Sequence, residues 1–285
     1  MKPATSSVGA RDAPDTADAY PRRSRLQALI FDDDGTLADT EETHRNAFNE
    51  AFHVHGLGWN WPTLLYSELL GVPGGKERIA SYIRRLNQSS AETDRLLAMV
   101  PEIHATKTRI YQHLVARGEI RPRVGVGRLM TEAYAVGLRL AIASTTSPEN
   151  VTELLESGFG PGALRRFSAI ATGDAVKSKK PAPDVYQLVL SALGIQPHEA
   201  IAFEDSAIGV SAARAAGLFT VAVPSTWTRY EDFAAANLTL QSLGDPGEPL
   251  SEPDAWRIGA PFLGVEQLYT LHSSNRDNEE NGWAS

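Results

Sequence analysis

LQALIFDDDGTL, residues 26–37, sets a short apolar run directly against three consecutive carboxylates and a glycine. A run this short, ended by a turn, reads as a strand buried on both faces. Residues 138–143, 169–172, 200–203 and 220–223 have the same form. Helical patterns separate them, with their own signals. Ser147 caps one helix, Pro148 takes its first position and Gly158 closes it. Pro183-Asp184 opens another that stops at Gly194, and Ser206 to Ala216 forms a third, stopped by Gly217. Strand alternating with helix predicts an α/β fold, a Rossmann-like parallel sheet covered on both faces.

The stretch 40–117 interrupts that pattern and holds no convincing strand. Asp39 with Glu42 three residues on makes a capping-box variant, and Ala47, Phe48, Ala51 and Phe52 form an apolar stripe behind it. Further helices are expected near 63–70, 76–86 and 91–117. The expected organisation is an all-helical cap, 40–117, inserted into a core made of 25–39 and 118–272. Residues 1–24 carry no hydrophobic period and read as a disordered arm, and 273–285 as a flexible tail.

The chain has 285 residues, with 27 basic against 35 acidic side chains and a net charge of −8. That balance argues against bulk nucleic-acid or anionic-membrane binding. Cysteine is absent, which removes disulfides, thiolate metal sites and a cysteine nucleophile. No run approaches the roughly 18 apolar residues of a membrane helix. The arm has no signal-peptide core, and Asp12, Asp15 and Asp18 are unlike an organelle transit peptide. A cytoplasmic monomer is expected.

Chemistry concentrates at the strand ends. Asp32, Asp33 and Asp34 would repel one another and raise each other's pKa, and a cation reverses that. In extended backbone Asp32 and Asp34 point to one side, and Gly35 permits the sharp turn after them. Ligands of open α/β sheets bind at such carboxyl edges. The functional reading is a Mg²⁺ site with one carboxylate left as nucleophile. The alternative is an acidic turn that merely ends a strand. Other strand ends agree with the first reading. Ser144-Thr145-Thr146-Ser147 suits phosphate oxygens, Glu204-Asp205-Ser206 supplies a second acidic pair, and Lys177-Ser178-Lys179-Lys180 adds local positive charge. Glycine patterns elsewhere mislead. Gly71 to Lys76 lacks P-loop spacing, and Gly125-Val126-Gly127 lacks the third glycine of a dinucleotide fingerprint.

FDDDGTL, AIASTTS, KKPAPDVY and AFEDSAIGVSAARAAGL, in that order, resemble the four motifs of the haloacid dehalogenase-like hydrolase superfamily. The helical insertion resembles the cap of its phosphoglucomutase-like branch. DTEETHR (39–45), GGKERI (74–79) and TRYEDF (228–233) resemble the CbbY-like sugar-bisphosphate phosphatases. The resemblance spans residues 25–272. Asp33 departs from it, standing where relatives usually carry an apolar residue.

The resemblance implies a phosphatase in which Asp32 attacks phosphorus to form an aspartyl-phosphate. Asp34 would act as general acid to the sugar oxygen and then as base to water. Asp32, the backbone of Asp34, and Asp205 would hold Mg²⁺, with Glu204 in or beside that shell. Ser144 and Lys180 would hold the transferring phosphate, with Thr145 a second hydroxyl. Cap residues would choose the substrate. Thr40 and His44 lie one helical turn apart after the catalytic loop, although His44 also shares the apolar side with Phe48 and Ala51. Glu41 and Tyr66 suit sugar hydroxyls. Gly75 and Lys76 suit a second phosphate, and Arg78 stands beside them. The implied substrate is a phosphorylated sugar, specifically a pentulose bisphosphate such as xylulose 1,5-bisphosphate. A phosphosugar mutase of the same fold is the main alternative. A non-catalytic binding protein fits poorly with the intact Asp32, Asp34, Lys180 and Asp205.

Overall fold

The structure, a computed structural model, describes residues 26–118 and 120–280; the arm expected at 1–24 lies outside them. The first strand is β1 (Ala28–Phe31), with every residue buried. Parallel strands β2 (Arg139–Ala143), β3 (Phe167–Ala171), β4 (Ala200–Glu204), β5 (Phe219–Ala222) and β6 (Leu238–Thr239) complete a sheet of order β3-β2-β1-β4-β5-β6. The catalytic-motif strands β1 and β4 are neighbours, in register from Ala28 opposite Ala200 to Phe31 opposite Phe203. That pairing brings two acidic strand ends to one place.

Two expectations about strands need correction. Residues 167–171 lie at the sheet edge, so their exposure alternates and Ser168 and Ile170 face outward. The two-residue β6 was not foreseen, because so short an element carries no period.

Side-chain alternation along β1, β2 and β4 makes the sheet's faces unlike. Leu29, Phe31, Leu140, Ile142, Ile201 and Phe203 project to one core, where Phe31 and Phe203 stack at 4.7 Å. This face meets α5 (Val126–Ala135), α6 (Pro148–Gly158) and α10 (Val265–Glu280). Ala28, Ala141, Ala143, Ala200 and Ala202 project to the other, against α7 (Asp184–Leu193) and α8 (Ala207–Ala215). Ser147 and Ser206 cap α6 and α8, accepting from the Asn150 and Gly209 amides. A further short helix, α9 (Glu252–Ile258), precedes α10. Of the flexible tail expected at 273–285, residues 273–280 continue α10, and 281–285 lie outside the described residues. No helix among the described residues is long and apolar enough to cross a membrane.

Between β1 and α5 stand α1 (Glu41–Val54), α2 (Thr63–Leu70), α3 (Gly75–Arg85) and α4 (Ser90–Ala116). They enclose their own core, which includes Phe48, Phe52, Trp61, Tyr66 and Ile103. Thr40, not Asp39, is the N-cap of α1, and no side chain caps it. Asp39 lies instead 3.8 Å from Arg123. The end of α4 reaches back to the sheet, burying Tyr111 and Val115 in the core beneath β1.

Arg123 rivets the catalytic loop to the sheet. Its backbone N–H donates to Leu37 O at 2.9 Å. Its guanidinium donates to the carbonyls of Gly35 at 2.6 Å, Val223 at 2.5 Å and Pro224 at 2.8 Å. Arg123→Met keeps the aliphatic bulk and leaves those carbonyls without their donor. It is expected to destabilise the protein by about 1–3 kcal/mol, since unsatisfied buried acceptors carry that penalty. A urea midpoint equal to that of the unsubstituted chain would count against the rivet.

Candidate active site

The carboxyl edges of β1 and β4 meet the cap at a cleft whose walls include Asp32, Asp34, Glu41, His44, Lys76, Lys107, Lys180 and Asp205. Its floor is acidic. Asp32, Glu204 and Asp205 are all buried, and each offers a carboxylate oxygen within 4.8 Å of the others. Lys180 bridges two of them, donating to Asp32 Oδ1 at 2.6 Å and to Glu204 Oε1 at 2.6 Å. Tyr186, on α7, donates to the same Glu204 oxygen at 2.5 Å.

Close backbone approach confines these carboxylates. A Cβ at Gly35, where φ is +82°, would fall 2.2 Å from Asp205 Oδ2, and one at Gly209 would fall 1.9 Å from Glu204 Oε2. Thr228 tethers Asp205 by a 2.6 Å hydrogen bond to its carbonyl. Burial pushes the Asp32 carboxyl up to about 7; Lys180 opposes this and Glu204 adds to it. Asp205 is pushed well above the ordinary range by burial and by Asp32 and Glu204.

A divalent hard cation fits this set. Its donors are oxygens, and three acidic groups crowd together with a single lysine among them. Glu204 Oε2 is buried without a hydrogen-bond partner among the described residues. Asp34 contributes no side-chain oxygen to the cluster, which leaves only its backbone for the role the resemblance implies.

The Asp34 carboxylate is engaged elsewhere. Its Oδ1 lies 2.8 Å from His44 Nε2, and His44 Nδ1 lies 2.5 Å from Lys107 Nζ. An ammonium only donates, so Nδ1 accepts, the ring proton sits on Nε2, and His44 donates to Asp34. Burial raises the Asp34 pKa, but His44, Thr40 and Lys107 overcome it and hold the group down at about 2. Burial lowers Lys107 to about 8, against the pull of Asp34. His44 also stacks on Tyr111 at 4.0 Å, so it is both packed and directed at the reactive loop.

The other expected residues divide between wall and support. Thr145, Gly75, Lys76 and Arg78 line the cleft. Lys76 is 3.6 Å from Asp174, a core residue. Glu41 lines the cleft with its Oε2 accepting from Tyr66 Oη at 2.7 Å, and Arg78 donates to that phenol at 3.1 Å. Tyr66 is fully buried, so it holds Glu41 in position without itself reaching the wall. Thr40 is likewise buried behind the wall, beside Asp34. Ser144 stands back from the cleft. Its hydroxyl donates to Asp33 Oδ1 and accepts from the Thr146 amide at 3.0 Å. Asp33, the residue that departs from the family pattern, is almost wholly buried, and burial with its acidic neighbours pushes its pKa well up.

Sequence reasoning missed Lys107, His104, Arg123 and Tyr186. Lys107 left a trace. Ile103, Lys107 and Tyr111 recur every four residues, which puts a lysine in a buried helical seam. The others carry no local signal, because their partners lie far away in the chain.

The model for the haloacid dehalogenase-like hydrolases matches residues 29–223. CbbY of Cupriavidus necator is 46% identical over 227 residues, covering 80% of this chain and 89% of that protein. The fructose-1-phosphate phosphatase YqaB of Escherichia coli is 35% identical over 200 residues, covering 70% and 97%. Among solved structures, a variant of Rhodobacter sphaeroides CbbY in complex with xylulose-(1,5)bisphosphate is 44% identical with a TM-score of 0.72, covering 78% of this chain and 98% of that one. With the four motifs gathered at one sheet edge, the chain belongs to the haloacid dehalogenase-like hydrolases, in their CbbY-like group, and is a phosphatase of that family.

Proposed function

We propose that this phosphatase is Mg²⁺-dependent and hydrolyses a phosphorylated sugar, a pentulose bisphosphate such as xylulose 1,5-bisphosphate, through an aspartyl-phosphate on Asp32. The observation that carries this is the pairing of roles at the end of β1. Asp32 lies on the acidic floor beside Lys180, while Asp34, two residues on, is held by His44. The substrate class is supported by the xylulose bisphosphate bound to the Rhodobacter protein and by the basic cap wall formed by Lys76, Arg78 and Lys107.

In the first step an Asp32 oxygen bonds to phosphorus and the bond from phosphorus to the sugar oxygen breaks. The leaving oxygen takes its proton through Asp34, which receives one from His44 Nε2 as Lys107 passes one to His44 Nδ1; the proton that Asp34 later takes from water returns to Lys107 by the same line. In the second step water attacks phosphorus, Asp34 accepts its proton, and the Asp32–phosphorus bond breaks to release phosphate. Lys180 holds Asp32 and carries positive charge beside the phosphoryl oxygens. Asp32, Glu204 and Asp205 would hold Mg²⁺, which when bound offsets the repulsion between carboxylate and phosphate.

Asp32→Asn removes the nucleophile with little change in volume. Phosphate release from xylulose 1,5-bisphosphate is expected to fall by about three orders of magnitude or more, with the circular-dichroism spectrum unchanged. Residual turnover near the unsubstituted level would sink the assignment. Isomerised sugar phosphate without phosphate release would point to a mutase instead.

The crowded floor also predicts how stability depends on pH. Asp32 titrates near 7 when folded, against 3.8 for an ordinary aspartate, so the folded chain binds that proton more tightly. Stability of the metal-free protein is therefore greatest below about pH 4 as far as this group is concerned, and is lost as pH rises through 7. Mg²⁺ is expected to raise the melting temperature more at pH 7.5 than at pH 5, and Asp205→Asn to shrink that difference. An equal shift at both pH values, measured by scanning calorimetry in EDTA and in Mg²⁺, would contradict the metal assignment.

A further inference from the structure

A second cavity, of about 630 Å³, shares no lining residue with the cleft. Its volume is that of a small-molecule site. Three guanidiniums line it from segments far apart in the chain: Arg123 just after the cap, Arg229 in the loop after β5 and Arg257 on α9. Asp39 and Asp254 share the wall. Cations are therefore in excess there, in a chain whose net charge is −8.

The donors of these arginines are incompletely used. Arg229 makes no hydrogen bond or ion pair among the described residues, and its guanidinium rests 4.8 Å from the ring centre of Tyr230. Arg257 donates to Thr239 O at 2.8 Å but comes no nearer than 4.0 Å to Asp254 Oδ1. Asp254 is engaged by the Gln241 amide, which donates to its Oδ2 at 3.0 Å. Arg123 directs its terminal nitrogens to the carbonyls of Gly35, Val223 and Pro224, and its Nε stops 3.8 Å from Asp39 Oδ1, beyond hydrogen-bond distance.

A lone arginine on a surface stays solvated. Three that face one cavity repel one another, and two carboxylates leave one positive charge uncompensated. One planar fork is enough for a carboxylate. Three guanidiniums brought in from separate segments match the three terminal oxygens of a phosphate monoester, and the cavity has room for a small organic group behind it. The cavity also adjoins both connections between cap and core. Asp39 belongs to the outgoing one and Arg123 to the returning one, and the two are paired through the Ala38–Pro122 bridge and the Arg123 N–H to Leu37 O.

We propose that this cavity is a second anion site, which binds the phosphate group of a small phosphorylated metabolite between Arg123, Arg229 and Arg257, apart from the cleft where the ester is hydrolysed.

The probe is labelled inorganic phosphate, measured per chain by equilibrium dialysis at saturation in the presence of Mg²⁺. The double variant Arg229→Gln/Arg257→Gln is expected to bind one phosphate fewer than the unsubstituted chain. That difference does not depend on how many the cleft holds, so it stands apart from the reading of the cleft. Each single substitution is expected to weaken this binding by about ten- to a hundredfold, as the loss of a charge-assisted contact does. In all three variants kcat/KM for p-nitrophenyl phosphate is expected to be unchanged, since both side chains are exposed and outside the cleft. Equal phosphate binding by the unsubstituted chain and the variants would overturn the proposal. Acetate that displaces this phosphate at equal concentration would overturn the choice of phosphate over carboxylate.

Discussion

Everything at the reactive edge depends on keeping Asp32, Glu204 and Asp205 together although they repel one another. Burial alone would drive protons onto Asp32 and Asp205. Lys180 counters it by donating to Asp32 and Glu204 at once, and the two acids in turn hold its pKa above the ordinary lysine value despite burial. One lysine cannot balance three acids. The cluster is therefore incompletely compensated, which is the condition under which a dication binds usefully and a carboxylate oxygen stays reactive.

The sheet's unequal faces make that cluster possible. Alanines on β1, β2 and β4 let α7 and α8 approach closely on one side. Tyr186 can then reach Glu204, and the backbone at Gly209 can lie against the same carboxylate with no Cβ between them. On the other face, large side chains anchor the sheet and receive the end of α4. The same helix thus carries Lys107 and His104 to the cleft and roots itself beneath β1. The cap wall and the sheet edge are thereby fixed to one frame.

Asp33 shows what a local departure does. It borders the cleft, buried beside Asp32 and Asp34, whose repulsion it feels, and its Oδ2 has no hydrogen-bond partner among the described residues. Its Oδ1 accepts from Ser144, and that hydroxyl also accepts the Thr146 amide, so the loop after β2 is tied to the loop after β1. Thr145, Thr146 and Ser147 line the cleft, and Ser144 stands behind them.

By itself the sequence determined the layered architecture and the helical insertion, because short apolar runs, caps and turn glycines are local signals, and it offered Asp32, Asp34, Lys180, Glu204 and Asp205 as site candidates, the acidic ones because they directly end strands. It also indicated Lys107 weakly, as a charge within an apolar period. Tertiary structure alone decided which groups meet. The pairing of β1 with β4 set two acidic ends side by side, the packing of α1 on α4 completed the line from Asp34 through His44 to Lys107, and Arg123 found carbonyls as distant in the chain as Val223. Such contacts depend on register and helix rotation, which many distant side chains fix together and no short stretch of sequence encodes.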